Sequence, residues 1–117
     1  MLLGWLAEAE AALREAIELA PDDPELRAHE VMQLANVYHL AGKAATAERL
    51  YAWLVAQVDH AGDYTRGLAL ANLAAMAASR RERDQARNLY TDALDLLRAA
   101  GAEEEAERVA ADLAALE

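Results

Sequence analysis

Three stretches of the chain share one spacing. Ala9, Leu13 and Ala16 lie four and then three residues apart, and Ala47, Tyr51 and Leu54 repeat that interval, as do Ala86, Tyr90 and Ala93. Steps of four and three hold side chains on one face of an α-helix. The segments before the second and third copies carry their own pattern: Val31, Leu34, Ala35 and Tyr38, then Leu70, Leu73, Ala74 and Ala77. In both complete pairs the last residue of the first set precedes the alanine of the second by nine positions, so the period is 38 or 39 residues. Ala110, Leu113 and Ala114 extend the first-helix pattern to the end of the chain. A unit of two such helices cannot bury its apolar faces alone, so neighbouring units must pack on one another.

The intervals between these stretches are suited to ending helices. "APDDPE" at 20–25 offers Asp23 as a helix N-cap with Pro24 at the first helical position. Gly42 ends one helix shortly before the next begins, and Gly62 and Gly101 are expected to do the same, with Asp63 as an N-cap. "SRRERD" at 79–84 is a polar turn. Six helices are therefore expected, at 2–20, 24–41, 44–60, 64–79, 82–100 and 102–116, with antiparallel neighbours because the connections are short. Alanine makes up about a quarter of the chain, β-branched residues are few, and phenylalanine is absent. The class is all-α, in a single domain spanning 1–117.

The residues at these phased positions resemble the tetratricopeptide repeat family. Leu34, Ala35, Tyr38, Gly42, Ala47 and Tyr51 carry the resemblance, with Ala9, Leu13, Ala16 and Pro21 in the first part. The third set keeps Leu73, Ala74, Ala86, Tyr90 and Ala93, while Ala77 and Arg81 stand where the family has an aromatic residue and a glycine. The family repeat is about 34 residues long, so this chain looks like a longer variant. The resemblance implies a half-repeat helix at 2–20, repeats at 24–60 and 64–100, and a final helix at 102–116, stacked as a right-handed solenoid. In that family, first-helix residues line a concave face that binds extended peptides. The matching positions here are His29, Met32, Gln33, Asn36 and Leu40, then Leu68, Asn72 and Ala75, then Arg108 and Asp112 on the last helix. Asn36 and Asn72 sit in the register of an asparagine pair that clamps a C-terminal carboxylate in some members. Met32 replaces the lysine expected one turn earlier, and Asp112 reverses a second basic position, so such a clamp is not expected.

No constellation for catalysis is visible. "HEVMQ" at 29–33 has Gln33 where a zinc-protease motif needs its second histidine. There is no cysteine, no glycine-rich phosphate loop, and no serine or threonine beside a histidine in the sequence. The expectation is a protein without enzyme activity, metal or cofactor. The formal charge of −10 disfavours nucleic acid as a partner. Arg80, Arg81 and Arg83 are interrupted by Glu82 and read as a solvated turn. No apolar run reaches the ~20 residues of a membrane span, and the start lacks the basic segment of a secretory signal. A cytoplasmic protein is expected, with a protein or peptide of basic or mixed charge as partner and no membrane association.

A second expectation concerns the start of the chain. Leu2, Leu3, Trp5 and Leu6 cluster on a helix that lacks the partner helix a full repeat would place before it. Such an apolar group either folds back onto Leu34 and Tyr38 of the next helix or marks an interface, with a second copy in a homodimer or with another part of a larger bacterial regulatory protein.

Overall fold

The computed structural model describes residues 2–57 and 61–116, with side chains from Ala7 onward within those ranges. The described residues form six α-helices and no strand: α1 (Leu2–Leu19), α2 (Pro24–Leu40), α3 (Ala44–Ala56), α4 (Asp63–Ser79), α5 (Arg83–Ala99) and α6 (Glu103–Ala115). They fall into two compact units, residues 1–61 and 62–117. In unit 1, α2 packs chiefly against α3, and α1 packs against both; in unit 2, α4 packs extensively against α5, and α5 against α6.

Three of the connections are built alike. After α2, Gly42 N–H donates to the His39 carbonyl and Lys43 N–H to that of Tyr38, at 3.1 and 2.9 Å. After α4, Arg81 donates to Ala78 and Glu82 to Ala77; after α5, Gly101 donates to Arg98 and Ala102 to Leu97. Each pair of bonds is a Schellman closure, which satisfies carbonyls that the helix end leaves open. It requires a left-handed residue, with φ of 80° at Gly42, 63° at Arg81 and 74° at Gly101. The next residue (Lys43, Glu82 or Ala102) is already the N-cap of the following helix. A three-residue connection thus ends one helix and starts the next, which forces the chain to double back.

The other two connections differ. Asp23 caps α2 as its sequence suggests, its Oδ1 accepting the Leu26 N–H at 3.1 Å, with Pro24 in the first turn. Gly62 departs from expectation. It is the N-cap of α4, in extended conformation at φ −69° and ψ 166°, and not a left-handed C-cap, while Asp63 is the first residue of the helix. Helix α3 also stops early, at Ala56 instead of residue 60. Gln57 leaves helical geometry there, and its side-chain Nε2 donates to the Trp53 carbonyl at 3.2 Å, taking up one of the open carbonyls of the last turn. Residues 58–60 lie outside the described part.

Most of the phased residues form the core, while Leu13, Leu34, Tyr38 and Leu73 are half-buried. Ala9, Ala16, Val31, Ala35, Ala47, Tyr51 and Leu54 are buried in unit 1, as are Leu70, Ala74, Ala77, Ala86, Tyr90 and Ala93 in unit 2. Alanine at these positions brings helix backbones close, and the larger Leu50, Tyr51, Leu54 and Leu97 fill the remaining space. Gly67, inside α4, lies under Leu97 of α5: a Cβ there would stand 2.9 Å from the leucine Cγ. The last helix follows the pattern less closely, since Leu113 is half-buried and Ala114 exposed.

Candidate functional site

In unit 1 the five residues expected to bind peptide lie on α2, on the side not committed to the core. Its buried residues are Ala28, Val31 and Ala35; His29, Gln33, Asn36 and Leu40 are exposed and Met32 is half-buried. Leu40 is 91% exposed, and its neighbour Val37, which the sequence pattern did not single out, is 61% exposed. Large apolar side chains left in water on a helix whose other face is packed are the material of an interface. Two of the polar residues have internal partners. Gln33 Nε2 lies 3.1 Å from His29 Nε2, one helical turn away. Asn36 Oδ1 accepts the Tyr51 hydroxyl at 2.6 Å, which satisfies a side chain buried between α2 and α3. Asn36 is therefore partly structural, and its amide NH2 is the group left to meet a ligand.

The end of α2 is ringed by aromatic and charged groups. Lys43 Nζ stands 5.8 Å from the centre of the Tyr38 ring. The same ammonium pairs with Glu8 of α1, whose other oxygen accepts the buried Thr46 hydroxyl at 3.0 Å. These hydrogen bonds, that from Lys43 first, hold the Glu8 carboxyl below the ordinary range and raise Lys43 in return. They tie α1 to the α2–α3 turn. His39 meets Tyr51 edge to face at 6.2 Å.

In unit 2, Leu68 and Asn72 are half-buried, and Ala75, Arg108 and Asp112 exposed. Asn72 Nδ2 donates to the Leu68 carbonyl at 2.9 Å. Tyr64, one turn before Leu68 on the same face, was not anticipated as a site residue. Its hydroxyl hydrogen-bonds Glu105 of α6, which raises its pKa, while nearby Arg108 opposes the shift. The face of α4 bearing Tyr64 and Leu68 therefore borders the start of α6. Asp112 lies near enough to Tyr90 to add to the rise that burial causes in that phenol. The sign of a site here is mixed, with Glu105 and Asp112 on either side of Arg108.

Leu2, Leu3, Trp5 and Leu6, the expected self-association group, lie outside the described side chains. No group of three or more metal-ligating side chains occurs among the described residues, and no helix there is long and apolar enough to cross a membrane. Set against known proteins, the chain matches no family model, no curated protein and no solved structure.

Proposed function

We propose that the chain is a protein-binding module of the tetratricopeptide type, without catalytic activity. The reading is supported by the recurrence of one closure at the ends of α2 and α4, whose left-handed residues Gly42 and Arg81 lie one sequence period apart. The observation that carries the binding function is the outward face of α2. Leu40 and Val37 stand in water on the helix that also carries half-buried Met32 and exposed Asn36, so apolar and hydrogen-bonding groups are both offered by its unpacked side. Such a face suits an extended or helical segment of a partner, with apolar side chains on Leu40 and Val37 and backbone groups on Asn36. The acidic chain favours segments of basic or mixed charge.

The test is selection of a random displayed-peptide library on the whole chain, followed by affinity measurement on Val37→Glu/Leu40→Glu. Peptides that bind the parent and lose about tenfold or more on the variant are expected, because a carboxylate replaces each apolar anchor. Selected peptides that all bind both chains equally would remove the α2 face from the account.

A further inference from the structure

A second surface of unit 1 lies where α1 meets α3, reaching the start of α2. Trp53, half-buried on α3, forms a wall of two cavities. One, of about 270 Å³, is bounded by Leu13 of α1 and Arg49 of α3. The other, of about 160 Å³, is bounded by Ile17 of α1 and by Arg27 near the start of α2. Both are smaller than the ~300 Å³ at which small-molecule sites begin. Part of the lining is apolar: Ile17 is 45% exposed, and Leu13, placed in the core by its spacing, is only half-buried.

The charges are unexpected. In a chain of net charge −10, with 21 acidic residues, each cavity is flanked by an arginine, and among the described residues neither Arg27 nor Arg49 forms an ion pair. Guanidinium groups beside a tryptophan are the residue types that dominate binding energy at interfaces, and they match carboxylates in forked geometry. We infer that this cleft docks an acidic segment of a partner protein, with an apolar side chain against Trp53 and carboxylates on Arg27 and Arg49. The partner is a different protein, whose segment offers carboxylates on either side of an apolar side chain to the arginines of the two cavities. This surface shares no residue with the peptide-binding positions proposed on α2 and does not depend on that reading.

The two surfaces are told apart in one experiment. Peptides selected on the whole chain are measured on Arg27→Glu/Arg49→Glu and on Val37→Glu/Leu40→Glu. The cleft predicts a class with an apolar residue between carboxylates that loses about tenfold or more on the arginine variant and keeps its affinity on the other. The indole N–H resonance of Trp53, assigned with Trp53→Phe, should shift on titration of these peptides. Should the reversed charges disturb folding, seen as a changed thermal transition, Arg27→Gln/Arg49→Gln removes the attraction without adding repulsion and must show the same loss. The inference is overturned if no acidic class is selected or if such peptides bind the arginine variants unchanged. It is likewise overturned if light scattering finds a dimer of the chain that Arg27→Glu/Arg49→Glu dissolves, since a second copy would then fill the cleft.

Discussion

Arg81 adopts φ 63°, a left-handed conformation that the equivalent turns give to Gly42 and Gly101. A side chain in that region crowds the following carbonyl, at a cost of roughly 1–2 kcal/mol. Glycine avoids that contact but is freer in the unfolded chain, which offsets part of the gain. Arg81→Gly is therefore expected to raise unfolding stability by about 1 kcal/mol in denaturant titration, and Gly101→Ala to lower it by about the same. A loss of stability in Arg81→Gly would show that the arginine side chain makes up for its backbone. Burial sets a second residue-scale expectation. The Tyr51 hydroxyl is pushed up to about 12 by desolvation. Because the folded value is raised, its contribution to stability is whole below the ordinary phenol value of 10.0 and is lost as pH rises from there through about 12. Phenolate absorbance should thus rise in stages, with a late component missing in Tyr51→Phe. A single early stage would contradict the burial of this ring.

Among the elements, α4 and α5 pack most extensively, and Gly67 is the reason they come so close. An added methyl at that site would overlap Leu97, which is fully buried and has no room to retreat. Overpacking costs about 1–3 kcal/mol, whereas alanine gains about 1 kcal/mol over glycine within a helix. Gly67→Ala is expected to destabilise the protein by about 1 kcal/mol net, against the propensity scale; a more stable variant would mean that the helices separate easily. The helices and their closures were legible in the sequence because they depend on local chemistry: Asp23 and Pro24 open a helix, and Gly42 and Gly101 close one. The register even placed Arg81 at the glycine position. What the sequence could not reveal depended on neighbours distant in the chain. Gly67 is isolated within a helical pattern, which signals close packing without naming Leu97. Leu13 has core spacing, yet Trp53 leaves it beside a cleft. Gly62 resembles Gly101 in sequence, but the chain around it starts a helix and needs no left-handed residue.

For the whole molecule, the acidic balance shapes what can bind and where. The outward face of α2 is largely uncharged and rests in a negative field, which suits a basic or mixed segment; the α1–α3 cleft carries two arginines and suits the opposite. The candidate residues of α2 were legible from the repeat register, since a helix that commits Ala28, Val31 and Ala35 to its core must turn His29, Met32, Asn36 and Leu40 elsewhere. The second role of Asn36 was not legible, because its partner Tyr51 sits on another helix. The most direct test of the binding account is an amide-resolved NMR titration of the isotope-labelled whole chain with a peptide selected on it and sensitive to Val37→Glu/Leu40→Glu. The account predicts that the shifted resonances cluster along α2 at Met32, Asn36, Val37 and Leu40, with the Tyr51 contact kept. Shifts confined to the turns or to other helices, with α2 unmoved, would contradict it.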